Sequence, residues 1–553
     1  MQREVDAAAG TVDDDGDAGD EPTEVDADEP AGDSPPARRA RVVAWAKNLP
    51  SRAWHAHPAA WLVFAGAVIF ALVFGSLGVK RHNTFGTWSF DLGIYDQGFW
   101  LVSRGSQTFM TVRGLDFWGQ HLNLIAYAFA PFYWLGAGPR FLFVAQAIVL
   151  GAGAIPTYLI AKDRFKTPWM GLVFGVVYLM YAPIQWISWA NFHPEALVVT
   201  PFLFAWWFSM HRRWSAMFVA LLVALSTRED TALAVIMMGL VLLVYVWKDG
   251  RRARKMAGLV SALGVGWYVF ATKLFMPHFN GGVQPFYIEY FYGSYGKDMP
   301  EIAETIVKHP NRVVSDATKP DRIRFYRDLS LPLGGMVVLG VGGLLMAAPQ
   351  MLASVIGSSP YARQIRYQYT SVMIAPLIIA AIEGTYLLWR FKVLRFVLPV
   401  WLLVSAYVTN VAWSPSPIGD YYAVWGQASA RNDVSRSALA LVPDDASVTA
   451  TYQLLPHLAH REQIYDWPNP FVPAYWGNDD CYRLPSPTAI EYIVVDRNAV
   501  GAGQQQLFSD MIAPGGPFQV LFDRSDIVVA KRVGTSTAVD VTPQDAACAG
   551  KRR

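Results

Sequence analysis

Ten apolar runs, spaced along residues 59–413, commit this chain to a membrane. They lie at 59–79, 140–161, 169–187, 196–210, 215–227, 231–247, 256–275, 331–348, 370–389 and 396–413. An α-helix rises ~1.5 Å per residue, so about 20 apolar residues cross a hydrocarbon core of ~30 Å. Most of the runs approach that length; 215–227 is short and its ends are uncertain. Two further runs, 122–135 and 350–357, are too brief to span and read as re-entrant or interfacial helices. The composition agrees: 53% of residues are hydrophobic and only 16% are charged, where soluble domains carry roughly 25%.

Charge sets the orientation. Residues 38–52 are basic and precede the first run, which places the N-terminus in the cytoplasm. Four short basic loops follow, Lys162–Lys166, His211–Arg213, Lys248–Lys255 and Arg390–Arg395. If 122–135 does not cross, all four fall on the cytoplasmic side, as the positive-inside rule requires. The loop 80–120, the corners Asn191–Glu195 and Ser226–Asp230, the loop 277–328 and residues 414–553 then all lie outside.

The two ends differ from the middle. Residues 1–36 hold 13 of the 44 acids and one base, Arg3, with few apolar side chains. Such a segment cannot bury enough surface to order itself, so residues 1–37 are expected to be a disordered acidic cytoplasmic tail. They lack the apolar stretch of a signal peptide. The rest of the chain has 31 acids against 45 bases, a surplus of 14 that suits anionic lipid head groups or phosphate-bearing substrates. A membrane domain is expected over 38–413 and a small extracytoplasmic α/β domain over 414–535. The latter has β-rich runs at Ser447–Tyr452, Tyr492–Asp496 and Phe518–Arg532, with helical segments around Leu454–His460 and Gln504–Ile512. Residues 536–553 read as a second disordered tail. The two cysteines, Cys481 and Cys548, form no zinc-binding spacing, and a disulfide between them is plausible only outside the cytoplasm.

Several polar clusters interrupt the apolar pattern, all on the outer side. The segment FDLGIYDQGFW (90–100) sets Asp91 four residues before Tyr95, on one helix face, with Asp96 turned elsewhere. Carboxylates beside aromatics at a membrane surface are candidate general bases; an interfacial helix with solvated acids explains them equally well. His121, in WGQHLN, suits phosphate, metal or proton transfer, or merely ends a helix. The NFHPE corner carries His193 and Glu195, where Pro194 and a first-turn acid are also ordinary helix-start chemistry. The STRED corner packs Arg228, Glu229 and Asp230 between two spans, which is costly unless they pair or line a wet cavity. In YARQIRYQYT, Arg366 and Tyr369 precede a span; Arg suits a phosphate, and snorkelling is the alternative. No phosphate-binding Gly-rich loop, nucleophile elbow or metalloprotease signature occurs.

The order of these features resembles the GT-C superfamily of polyprenyl-phosphate-sugar-dependent glycosyltransferases. An acidic first outer loop leads to a polar residue opening a short apolar helix, then to Leu135, Gly138 and Arg140, the basic turn Ala161–Lys166, and a span ending in Pro183 and FHPE. Within that superfamily, FDLGIYDQ, GQHLN, FHPE, REDTAL and QYT together look like a bacterial membrane-protein family carrying only a domain-of-unknown-function label. The resemblance covers roughly residues 60–535. It implies an all-α GT-C-like bundle of roughly ten spans in the bacterial plasma (inner) membrane, a lipid-phosphate sugar donor, an outward-facing site and a catalytic acid at Asp91. Where lipid-modifying relatives carry Lys-Pro-Pro, this chain has Gln120–Leu122, so His121 stands at the donor-phosphate position.

The expected function is transfer of a sugar from a polyprenyl-phosphate donor to an extracytoplasmic envelope glycan or lipid acceptor. Asp91 and Asp96 are the expected catalytic acids; His121, His193, Glu195, Arg228, Glu229, Asp230, Arg366 and Tyr369 are the expected substrate contacts. A divalent metal held by Asp91, His193 and Glu195 would serve the same leaving group, although no spacing points to one. Membrane lipids are expected partners and nucleic acid is not. A lipid or saccharide transporter would instead scatter charges deep in several helices and show inverted repeats. A non-catalytic scaffold is the third alternative.

Overall fold

The computed structural model describes residues 57–105, 107–282, 286–478 and 484–540. The expected N-terminal tail, the basic stretch 38–52 and both cysteines lie outside the described residues.

The long apolar runs are helical, apart from the start of the eighth. The helices are α1 (Pro58–Asn83), α4 (Pro139–Phe165), α5 (Pro168–Trp189), α9 (Gly250–Phe279), α11 (Gln368–Trp389) and α12 (Leu394–Trp413), each long and apolar enough to cross a membrane. Between them come α6 (Val199–Met210), α7 (Trp214–Leu225), α8 (Thr231–Tyr245) and α10 (Val341–Ile356), apolar but shorter. Two outer-loop helices complete the first half, α2 (Ile94–Arg104) and α3 (Ala126–Trp134). Local chemistry sets the ends of α1: the His57 ring accepts from the Ala59 amide, Pro58 occupies the first turn, and Lys80, Arg81 and His82 fill the last. α1 and α4 then pack closely, because a side-chain carbon on Gly78 would sit 2.7 Å from the Phe143 ring and one on Gly151 would sit 2.7 Å from the Ala67 carbonyl.

Helix α3 has only nine residues, about 14 Å of rise, so 122–135 does not cross. Three of the four basic loops meet at one end of the bundle, and Phe165 packs on Trp389, beside the fourth, with ring centroids 5.0 Å apart. Arg164 pairs with Glu383 at 2.8 Å, His211 with Asp163 at 3.2 Å, and Arg212 with Asp249. The eighth expected span is corrected: Leu331–Leu333 and Met336–Leu339 are 3-10 turns, and the helix runs from Val341 to Ile356, absorbing the separate short run expected at 350–357. Gly334 and Gly335, at φ 67° and 74°, are the break.

The C-terminal part forms a five-stranded mixed sheet of order β4-β3-β5-β7-β6, with β3 at Val448–Ala450, β4 at Ile464–Asp466, β5 at Tyr492–Asp496, β6 at Phe518–Arg524 and β7 at Ile527–Arg532. A two-stranded hairpin in the first outer loop, β1 (Phe109–Met110) and β2 (Leu115–Asp116), precedes it. β3 runs parallel to β4 and β5, with Val448 opposite both Ile464 and Tyr492. Helices α13 (Ala430–Leu439) and α14 (Gln505–Ile512) accompany it. The helix expected around Leu454–His460 is a single 3-10 turn, Leu455–His457. Residues 536–540, expected in the disordered tail, are ordered: Val539 is buried and Asp540 pairs with Arg532 at 3.0 Å, and 541–553 lie outside the described residues.

The sheet is bonded to the first outer loop. The Ser89 amide donates to the Tyr452 carbonyl at 2.8 Å and its hydroxyl to Asp466 at 2.7 Å. The Thr111 hydroxyl donates to the Ile464 carbonyl and accepts from the Ile464 amide, both at 2.8 Å, and Gln97 donates to the Arg461 carbonyl at 3.1 Å.

Candidate functional site

The helix ends opposite the basic loops converge on one cluster of acidic, basic and imidazole side chains. Asp91 belongs to the turn Ser89–Gly93 that precedes α2, and its backbone is not helical: φ is 73° and ψ is −87°. That conformation, close to the rare and strained γ-turn, costs a non-glycine residue on the order of 1–3 kcal/mol. The expectation that Asp91 and Tyr95 share one helix face is therefore corrected, since α2 begins only at Ile94. The kink delivers the Asp91 carboxylate, about a third exposed at 32%, to within 3.2 Å of Nε2 of His193, which is 1% exposed. The contact is one of charge rather than an aligned hydrogen bond.

His193 is held by its backbone. Its amide donates to Oε1 of Gln146 at 2.9 Å, while the Gln146 side-chain amide donates to the carbonyls of Ile187 and Asn191 at 3.1 and 3.0 Å. One glutamine on α4 thus fixes the whole NFHPE corner. Asn191 takes a left-handed φ of 70°, which asparagine tolerates. Burial disfavours a charged His193, but Asp91, and more weakly Glu195, outweigh it and raise its pKa.

The STRED corner closes the far wall. Arg228 binds Glu195 and Asp230, each at 2.6 Å. Glu229 faces the opposite way: one oxygen lies 2.8 Å from Nδ1 of His121 and the other accepts from the Leu122 amide at 3.1 Å. Burial opposes ionisation of Glu229, yet His121 and Arg228 hold its carboxyl down at about 2. Burial pushes Asp230 up, with Arg228 opposing. Tyr95 packs edge-on to His193 with ring centroids 5.7 Å apart. Four carboxylates therefore face Arg81, Arg228 and two imidazoles. Among the described residues no three His, Cys, Asp or Glu side chains group so as to hold a metal ion.

Thus Asp91, His121, His193, Glu195, Arg228, Glu229 and Asp230 come together as ion pairs. Tyr369 lies within electrostatic reach of Asp91, Arg228 and Glu195. Arg366 is not among the ion-paired groups; its guanidinium lies over Trp186 and Tyr421, 4.8 and 4.4 Å from their ring centres. Asp96 is turned away, bonded to Tyr133 at 2.8 Å and His460 at 3.0 Å. Sequence reasoning missed Arg81. It is buried at the outer end of α1, donates to Asn191 at 3.0 Å and to the Trp189 carbonyl, and lies between the Trp88 and Trp189 rings within electrostatic reach of Asp91. The available signal was a Lys80-Arg81-His82 triplet on the outer side of the first span, against the positive-inside trend.

The sequence profile of a family described as "Predicted membrane protein (DUF2079)" matches residues 81–511. The chain belongs to the DUF2079 family. The match takes in every residue of the ion-paired cluster, from Arg81 onward. No curated protein sequence matches the chain. Among solved structures this DUF2079 protein is similar to ArnT from Cupriavidus metallidurans, determined bound to undecaprenyl phosphate. The identity is 12%, the match covers 86% of this chain and 98% of that one, and the TM-score is 0.47.

The raised His193 pKa gives a pH dependence. The Asp91–His193 pair contributes stability in full below the ordinary imidazole value and loses it as pH rises through the raised one. Thermal unfolding of purified protein between about pH 6 and about pH 9 should show a midpoint that falls with pH more steeply in the wild type than in His193→Gln. Equal slopes would show that the pair is not the source.

Proposed function

We propose that this protein is a GT-C-type glycosyltransferase that moves a sugar from a polyprenyl-phosphate donor to an acceptor outside the cytoplasm. The observation that carries the reading is Asp91, a partly exposed carboxylate in a strained turn, set against a buried histidine within reach of two arginines. In the reaction, an acceptor hydroxyl attacks the anomeric carbon and its proton passes to the Asp91 carboxylate. The bond from that carbon to the phosphate oxygen breaks, and the electron pair leaves with the phosphate, inverting the configuration. Arg81 and Arg228, with His121, would stabilise the charge that develops on the phosphate. His193 would keep Asp91 oriented, and Tyr369 would line the approach. The sequence resemblance supports a lipid-phosphate donor, and the gathering of ionised groups at one end of the bundle favours a surface reaction over a transport path.

Mass spectrometry of lipids extracted from the purified protein tests the donor. A co-purifying polyprenyl phosphate, bare or sugar-bearing, is the expected result, and transfer from a radiolabelled polyprenyl-phosphate sugar in membranes should follow. Extracts without such a lipid, together with no transfer, would defeat the proposal.

The reading also needs the cluster to face away from the cytoplasm. The clustering of basic loops at the opposite end, three of them joined by ion pairs, supports that orientation. An alkaline phosphatase fusion after residue 415 should be active, and a green fluorescent fusion at the same position dark. The reverse pattern would put the site on the wrong side for the donor.

A further inference from the structure

A cleft of about 1270 Å³ opens between α2, the start of α4 and the soluble domain, and its lining shares no residue with the Asp91 cluster. Asp96 lies in its wall, with a side chain 1% exposed. One Asp96 oxygen takes both the Tyr133 hydroxyl and His460, and the other has no partner among the described residues. His457 lies in the same wall, stacked on His82 at 4.0 Å, and its Nε2 is also buried without a partner. Trp100 lines the cleft and stacks near-parallel on His460, at 22°.

Two buried polar atoms without partners are costly unless a ligand completes them. The lining narrows what that ligand can be. Five acids, Asp96, Asp444, Asp445, Glu462 and Glu491, outnumber three arginines. Of those arginines, Arg461 is occupied by the carbonyls of Leu458, Pro443 and Ala446 at 2.7 to 3.0 Å, Arg140 by Asn83 at 3.1 Å, and Arg104 lies over the Trp100 ring, 5.1 Å from its centre, so that a sugar stacked there would share the indole with an exposed guanidinium. Burial, then Arg140 and Arg436, push His457 down to about 3, so it stays uncharged. A phosphate or carboxylate ligand would meet net repulsion. A purely apolar one would leave Asp96 and His457 unpaired. A chain of sugar rings satisfies both: its hydroxyls donate and accept, and its C–H faces stack on an indole. The cleft is larger than the ~300–1,000 Å³ of most small-molecule sites, which suits more than one ring.

We propose that this cleft binds a neutral oligosaccharide, one ring stacked on Trp100 and its hydroxyls paired with Asp96 and His457. Under the transferase reading it would hold the glycan of the acceptor; the binding itself does not rest on that reading. Saturation-transfer NMR on the purified full chain, with mannotriose, arabinotriose and maltotriose as neutral probes and trigalacturonate and inorganic phosphate as charged ones, reads binding without turnover. Transfer to at least one neutral trisaccharide and to neither charged probe is expected, retained in Asp91→Asn and weakened roughly fivefold or more in Trp100→Ala. Should Trp100→Ala fail to fold, Ala440→Trp, on the exposed rim of the cleft, must obstruct binding to the same degree. No transfer to any neutral probe, preference for a charged one, loss of binding in Asp91→Asn, or full binding in the cleft variant would each overturn the proposal. Saccharide binding without any transferase activity would leave it standing while removing the proposed function.

Discussion

Asp91→Asn is expected to lower glycosyl transfer on the order of 10²-fold or more, the scale set by removal of a positioned base, while the protein remains folded and inserted. Asparagine keeps the size and shape of the side chain, so it adds no new steric demand to the strained turn that Asp91 adopts at φ 73°. It cannot accept a proton. The contact with His193 changes from an ion pair to a neutral one, which affects stability modestly because the carboxylate is only partly buried. The informative measurement is therefore transfer activity at matched expression, read beside the thermal midpoint. Complementation of a deletion strain by Asp91→Asn at wild-type level would remove Asp91 from the mechanism. A variant that fails to insert would show instead that the strained turn is structural.

Arg228→Met should destabilise the fold by about 3–5 kcal/mol, the range found when one partner is stripped from a buried ionic group. Arg228 is the shared partner of Glu195 and Asp230, both largely buried. Methionine retains the bulk of the stem but leaves two carboxylates facing each other in a poorly solvated corner. The triple variant Arg228→Met, Glu195→Gln, Asp230→Asn should recover most of the loss, because no unpaired charge remains. Unfolding midpoints of the three proteins in one detergent separate the alternatives. An Arg228→Met midpoint equal to the wild type would mean that the cluster is well hydrated and the pairs contribute little.

The helices were legible because a membrane core demands long apolar runs, and those runs carry through to the structure. The one-ended placement of the basic loops was legible for the same kind of reason. So was the meeting of FHPE with RED, since both corners join outer helix ends. The conformation of Asp91 was not. FDLGIYD matches a helical spacing, and what bends it is long-range, the bond from the Ser89 amide to Tyr452 more than 360 positions later. Arg81 hid among residues that ordinarily mark a span boundary. β4 has three residues and a parallel partner, too little for any local pattern. The break at 331–339 was visible in Pro332, Gly334 and Gly335, but hydropathy outweighed it.

The bonds from Ser89, Gln97 and Thr111 to the sheet also bear on how the protein is made. Tyr452, Arg461 and Ile464 emerge from the ribosome more than 350 residues after the segment that bears Asp91. All ten apolar runs must be placed in the bilayer before the strands that hold this loop exist. An early-terminated chain would thus carry every ionised side chain of the cluster and still lack the clamp that shapes it. The shape of the cluster would appear in one step, once the strands β3 and β4 have emerged, and not grow in proportion to the length of chain inserted.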